Sequence, residues 1–273
     1  MKRPQIPLLR QNKAVSTAIS AVIITAVTVT LVMIVAIYAY QVLDQQRGVA
    51  EFDVAKKSIL AFDDALQDVA WKLNSSRMVR FKVEFGDLKL IPNSLSLDVS
   101  AKIGNSSQNY PLGSISTGLT KYSIATRYVT LGENHTSYIL GDNSSIVTGS
   151  TESLGRILIE QGSGLVDVTL SYRARAIRTS VIKVNGTNVN YVTIWLIKVA
   201  PYPDYPTTHI HNFDLRAKCI DVKTTTSGPY DAAGAGYCTI TVVSEGESSS
   251  AQVGLDSGKV VFSVVVAEVK VSV

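Results

Sequence analysis

Charged residues are scarce in this chain, and its first long apolar segment contains none. Only 18% of the 273 residues are charged, and the thirty residues between Lys13 and Asp44 include no Asp, Glu, Lys, Arg or His. About 20 apolar residues suffice to cross a bilayer, whereas the apolar core of a secretory leader has about 7–15. The segment is therefore too long for an ordinary leader, and it predicts a membrane-spanning helix.

Residues that carry catalytic or metal chemistry are also few. The chain has three histidines, and His209 and His211 lack a third ligand at a metal-binding spacing. Asp63 and Asp64 are neighbours on a predicted helix and point in different directions, which is poor geometry for a general acid and base pair. No βαβ alternation indicates a nucleotide-binding sheet. We expect no enzyme activity, no metal and no cofactor.

The chain has only two cysteines, Cys219 and Cys238, each within a strand-like stretch. Outside the cell such a pair predicts a disulfide, which in the chain-entropy model contributes about 3 kcal/mol for a loop of this length. The alternative is two free thiols that face apart.

The ends of the apolar segment differ in charge. Lys2, Arg3, Arg10 and Lys13 precede it, and the first acidic residue, Asp44, follows it. By the positive-inside rule, the N-terminus is expected in the cytoplasm and the remaining chain outside.

Small residues recur along the segment at steps of four. Such steps let helix backbones approach closely in lipid, although small residues are also merely tolerated in some membrane helices. The predicted helix-packing residues are Ser16, Ser20, Ala21, Thr25, Ala26 and Thr30.

The basic leader, the Lys13–Ala14 pair and the run VSTAISAVIITAVTVTLVMIVAIYAY resemble the N-terminus of archaeal type IV pilins, which carry a class III signal peptide. Bacterial pilins have Glu at the fifth position after the cut, where this chain has Ile19. The resemblance implies cleavage by a prepilin peptidase between Ala14 and Val15. It further implies a lollipop-shaped subunit that polymerises through its helix with copies of itself or co-pilins, served by an assembly ATPase and a membrane platform protein. Adhesion is the expected role.

Removal of that leader changes the charge balance. The chain has 26 basic and 22 acidic residues, and the leader holds four of the basic ones, so 26 − 4 = 22 remain against 22. A net charge of zero gives no support to a nucleic-acid partner.

Beyond the membrane segment, apolar residues continue at helical spacing from Phe52 to Leu73. We expect the helix to extend through 48–74 with one apolar face, and we expect Gly48 to be a weak point, since glycine costs about 1 kcal/mol inside a helix.

From residue 75 the apolar period changes from about 3.6 to 2, with turn-forming residues between the runs. This predicts an α+β chain in which the helix is followed by an antiparallel β-sandwich. The expected domains are a leader at 1–14, a membrane and filament-core helix at 15–47, its amphipathic extension at 48–74, and an extracellular β-sandwich at 75–273, with a possible sub-boundary at 200–212.

Five sequons for N-glycosylation lie after the membrane segment, in stretches that look like loops. Their asparagines are Asn74, Asn105, Asn134, Asn143 and Asn185.

Two functions remain open. One is a subunit of a surface filament, found in the cell membrane before assembly. The other is a single-pass surface glycoprotein whose β-sandwich binds a ligand or solute.

Overall fold

The computed structural model of the protein describes residues 11–202 and 208–273, with side chains described for 19–202 and 212–273. Its helix, α1, covers Gln11–Ala70. The strands in the described residues are β1 (Ser76–Ile103), β2 (Asn109–Ala125), β3 (Thr136–Leu140), β4 (Ile146–Val147), β5 (Gly155–Gln161), β6 (Leu165–Tyr172), β7 (Ala174–Val184), β8 (Thr187–Pro201), β9 (Thr208–Asp231), β10 (Tyr237–Ser244), β11 (Glu247–Gly254) and β12 (Gly258–Ser272).

The chain forms two compact units that divide between Arg47 and Gly48. The first contains the apolar part of α1. The second contains the remainder of α1 and the strands, and we call it the sheet domain. The possible sub-boundary at 200–212 falls inside this domain, and residues 203–207 lie outside the described residues. An apolar helix followed by a domain built mostly of sheet confirms the α+β class.

The sheet is mixed, which corrects the antiparallel prediction. Its strand order is β3-β5-β6-β2-β1-β9-β12-β8-β7-β4, and β10 pairs with both β1 and β11. Most neighbours are antiparallel, but β12 is parallel to β8 along 258–271, and β4 is parallel to β7. Alternation of apolar and polar residues has the same period in both pairings, so the pattern alone did not reveal the parallel pairs.

Strand β1 connects two parts of the sheet. Residues 76–89 pair with β9, and residues 98–103 pair with β10. Register irregularities between Val83 and Leu88 and between Ile91 and Leu95 accompany this change of partner. Such irregularities bend a strand, so one long strand can contribute to two hydrophobic clusters.

The first cluster is built on α1. One face of the helix beyond Gly48 is buried together with side chains from β1, β2, β5, β6, β8, β9 and β12. Burial of that face provides the hydrophobic stabilisation of the contact between helix and sheet. The buried helical residues of the cluster are Phe52, Ala55, Ile59, Phe62, Leu66, Val69 and Ala70. The predicted apolar face is present as far as Val69, whereas Leu73 lies beyond the helix and is exposed.

The second cluster contains no helical residue among those the structure describes. It joins side chains of β1, β10 and β11 to side chains of β7, β8 and β12. Leu97, Ile194, Ile240 and Phe262 are at most 1% exposed. The sheet domain therefore has two cores, and β1, β2, β8 and β12 contribute to both.

Candidate functional site

The apolar part of α1 exposes hydrophobic side chains around its whole circumference. The five consecutive residues from Leu31 to Val35 are each between 56% and 64% exposed, and they cover more than a full turn. The run from Ile19 to Leu43 extends about 37 Å, against a hydrocarbon core about 30 Å thick. The helix is long and apolar enough to cross a membrane, with a mean hydropathy of 2.6 in its most apolar window. A helix that is apolar all round requires lipid or other protein around it.

The predicted helix-packing residues that have described side chains lie on this exposed surface. The hydroxyl of Thr30 donates to the carbonyl oxygen of Ala26 at 2.9 Å, and the hydroxyl of Thr25 donates to that of Ala21. The hydroxyls in two of the predicted small-residue steps are thus satisfied within the helix. They can enter an apolar environment without an unpaired donor.

The predicted cleavage bond lies where side chains are not described. The backbone at Ala14 and Val15 is helical, and residues 1–10 lie outside the described residues. The side chain of Ser16 is also outside the described set. Ser20 is exposed.

Gly48, the first residue of the sheet domain, is buried against the ring of Tyr128. A β-carbon placed on Gly48 would lie 2.6 Å from Cβ of Tyr128, which is too close for any real contact. The ring of Tyr128 in turn packs on Phe85, with the ring centroids 5.0 Å apart. Gly48 therefore marks a close approach between helix and loop. The sequence interpretation of this residue as a weak point missed that role.

Glu51 connects α1 to the irregular part of β1. Its carboxylate accepts hydrogen bonds from the backbone N–H groups of Glu84, Phe85 and Gly86 at 2.8–2.9 Å. It also accepts one from the hydroxyl of Tyr122, at 2.9 Å. Those N–H groups lie between Val83 and Leu88, where pairing with β9 is interrupted, so the carboxylate replaces missing backbone acceptors.

Asp63 is a second buried carboxyl group, 1% exposed, on the buried side of α1. Its Oδ2 accepts from the Gln67 amide at 2.7 Å and from the Ser153 hydroxyl at 3.4 Å. Its Oδ1 and the Tyr172 hydroxyl form no hydrogen bond of good geometry among the described residues, but the hydroxyl lies close enough to Asp63 to favour the carboxylate. Burial raises the pKa of Asp63 to about 6, and the neighbouring Tyr172 and Gln67 side chains counteract part of the rise.

Both carboxyl groups were missed at the level of the sequence, because Glu51 was given no role and Asp63 was considered only as a partner of Asp64. The spacing did contain a signal. Glu51 lies four residues before Ala55, and Asp63 lies four after Ile59, so both fall on the buried face of the helix.

The predicted disulfide is wrong, because both cysteines are free and buried. The Cys219 thiol donates to the carbonyl oxygen of Ala70 at 3.2 Å, and its cross-strand neighbour Val269 belongs to the first cluster. Cys238 belongs to the second cluster, opposite Ile103. The two thiols therefore lie in different parts of the sheet domain, Cys219 beside the first cluster and Cys238 in the second. Burial raises the pKa of Cys219, and it raises that of Cys238 to about 12, so both disfavour the reactive thiolate.

All five sequon asparagines are exposed and lie in turns or bends. Three have a positive φ, which asparagine tolerates better than most residues: Asn74, Asn134 and Asn185. The side-chain oxygens of the other two accept hydrogen bonds from tyrosine hydroxyls, Asn105 from Tyr237 and Asn143 from Tyr138. Each asparagine is accessible, and glycosylation stays a prediction.

Comparisons of the chain with protein-family models, with curated proteins and with solved structures find no match. The class of protein therefore follows from the molecule itself. Within the described residues, it has one helix long and apolar enough to cross a membrane, followed by a mixed-sheet domain that incorporates the last part of that helix.

Proposed function

We propose that this protein is a structural subunit of an archaeal type IV pilus-like surface filament. A prepilin peptidase removes the leader near Ala14–Val15, and the exposed apolar helix then exchanges lipid for the helices of neighbouring copies or co-pilins. The assembly ATPase and the platform protein are separate partners. The sheet domain, as a β-sandwich head, lies outside the cell and serves adhesion.

The observation that carries the proposal is the surface of α1 from Ile19 to Leu43. It is apolar on every side, as a helix that meets lipid first and several helices later requires. The internal bonds of Thr25 and Thr30 leave those residues small and without free donors, which suits close packing between helices. Beyond Gly48, α1 is attached to the strands of the sheet domain by the hydrogen bonds of Glu51 and by the first cluster. Assembly through α1 would therefore carry the sheet domain with it.

Substitution at a small residue tests helix packing directly. We expect Ala21→Leu or Ala26→Leu to reduce filament number in the native host, seen by electron microscopy, while the purified protein in detergent keeps a folded sheet domain. Val22→Leu is the matched control, because Val22 is next to Ala21, is 68% exposed and is already large. Filaments unchanged by both alanine substitutions would contradict assembly through close helix contacts.

Processing is tested separately, by mass spectrometry of surface material. The proposal expects peptides that begin at Val15. Intact chains that retain residues 1–14 would instead favour the single-pass surface glycoprotein, in which the same helix remains in lipid.

A further inference from the structure

Both tryptophans of the chain line one concavity on the sheet domain. Trp71 is the first residue after α1, Trp195 lies on β8, and Arg175 and Ile177 lie on β7. Ser150, between β4 and β5, completes a concavity of about 250 Å³. Trp71 is 36% exposed and Trp195 is half-buried, so aromatic surface remains open to solvent.

Strands β7 and β8 and the turn after α1 position most of the residues of this concavity. Arg175 is the cross-strand neighbour of Trp195. The adjacent residues Ala176 and Ile194 are fully buried in the second cluster, so Arg175 and Trp195 face away from that core. The backbone on both sides of Trp71 is held in a turn, because the Lys72 N–H and the Ser75 hydroxyl both donate to the carbonyl oxygen of Val69, at 3.0 and 3.1 Å. A site formed in advance loses little entropy when it binds a ligand.

The positive charge of Arg175 is partly offset by Glu152, although its Nε has no hydrogen-bond partner among the described residues. The guanidinium of Arg175 donates to the backbone oxygen of Glu152. Burial lowers the pKa of Arg175, and the negative charge of Glu152 counteracts this. The Glu152 carboxylate accepts from the Gly149 N–H at 3.2 Å. An anionic ligand would find a cation that already has an anion beside it, whereas a neutral ligand with hydroxyl groups finds hydrogen-bonding groups.

We propose that this concavity binds a single neutral pyranose ring, as a free sugar or as the end of a glycan. One face of a pyranose presents C–H groups that stack on an aromatic ring, and its hydroxyls hydrogen-bond to side chains such as Arg175 and Ser150. The volume suits one ring, since sites for drug-sized ligands measure about 300–1,000 Å³. The proposal does not depend on the filament, because the concavity belongs to the sheet domain alone.

The test uses the full chain in detergent and the methyl glycosides of glucose, mannose, galactose and N-acetylglucosamine. Tryptophan fluorescence and saturation-transfer NMR both report on binding at this site. We expect a saturable change with at least one of these sugars. Its affinity should fall about tenfold or more in Trp195→Ala and in Trp71→Ala, and less in Trp195→Phe, which keeps an aromatic face.

Two further variants separate loss of binding from loss of folding. Ser150→Leu fills the concavity from a loop without removing a core contact, so it should abolish binding in a folded protein. Tyr138→Ala removes an exposed aromatic residue on β3, outside the concavity, and should leave affinity unchanged. The proposal is overturned if none of the four sugars gives a saturable change, or if Ser150→Leu retains full affinity.

Discussion

Replacing Asp63 by Asn should raise the stability of the sheet domain at neutral pH. Burial raises the pKa of Asp63 from 3.8 to about 6 in the folded chain, so the folded state binds this proton more tightly than the unfolded state. The stability contributed by the proton is complete below pH 3.8 and is lost as pH rises through about 6.

The size of the effect follows from the pKa difference. A difference of about two units at about 1.4 kcal/mol per unit corresponds to about 3 kcal/mol over the whole titration, most of it between pH 4 and pH 7. An asparagine amide carries no charge, and its oxygen can still accept from Gln67 and Ser153. We therefore expect Asp63→Asn to match the unsubstituted protein near pH 4 and to exceed its free energy of unfolding by about 2–3 kcal/mol at pH 7.

Urea denaturation in detergent, followed by near-ultraviolet circular dichroism at several pH values, measures this difference. Asp64→Asn is the matched control, because Asp64 is the next residue and is exposed. Asp64 makes only a small contribution to the raised pKa of Asp63, so this variant should keep nearly all of the pH dependence. If Asp63→Asn and the unsubstituted protein change in parallel from pH 4 to pH 8, the proton is not on Asp63 and the reasoning fails.

Three other predictions concern the helix contact and the thiols. Glu51→Gln should lower the free energy of unfolding by about 2 kcal/mol, because a carboxylate that accepts four hydrogen bonds is replaced by a neutral amide. Glu84→Gln is the control, since the side chain of Glu84 is exposed, and it should change the free energy of unfolding little. Equal effects of the two substitutions would contradict a special role for Glu51. Gly48→Ala should destabilise by about 1–3 kcal/mol despite the better helix propensity of alanine, because the new β-carbon meets Cβ and the ring of Tyr128. Tyr128→Gly, which removes both the ring and that Cβ, should relieve the clash in the double variant, whereas Tyr128→Ala, which keeps Cβ, should relieve only part of it. Gly162→Ala, which has open space around it, is the control. Cys219 and Cys238 should resist a thiol reagent until urea is added, and a non-reducing mass that shows a disulfide in folded protein would refute the structure at this point.

Local periodicity predicted the helix and its buried face well. Phe52, Ile59 and Leu66 recur at seven-residue steps, and all three are at most 3% exposed. Periodicity alone was less reliable for the strands. The residues from Tyr122 to Leu131 have the pattern of one strand, but β2 ends at Ala125. The N–H groups of Tyr128 and Val129 donate to the carbonyl oxygen of Ala125 in a turn.

Features that depend on contacts between residues far apart along the chain could not be predicted from the sequence. The strand-like sequence around each cysteine does not show which of the two cores that strand packs into. The prediction of a disulfide between Cys219 and Cys238 was therefore wrong. Glu51 was passed over because its acceptor role depends on an irregularity in β1. The concavity between Trp71 and Trp195 joins residues more than a hundred positions apart, and no spacing along the chain connects them.

The position of β12 has a consequence for how the sheet domain is made. This strand lies between β8 and β9, and its residues reach both cores, with Phe262 in one and Val269 in the other. Neither core can be completed until β12, which ends at Ser272, has been synthesised and has paired with β8 and β9. Until then, β8 and β9 each present an edge of unpaired backbone that invites wrong partners. Because the pairing with β8 is parallel and distant in sequence, closure is expected to be slow. If the proposed export proceeds from the N-terminus to the C-terminus, the sheet is incomplete while the chain crosses the membrane. The open edges of β8 and β9 would then have to be kept from pairing with other chains until β12 is inserted.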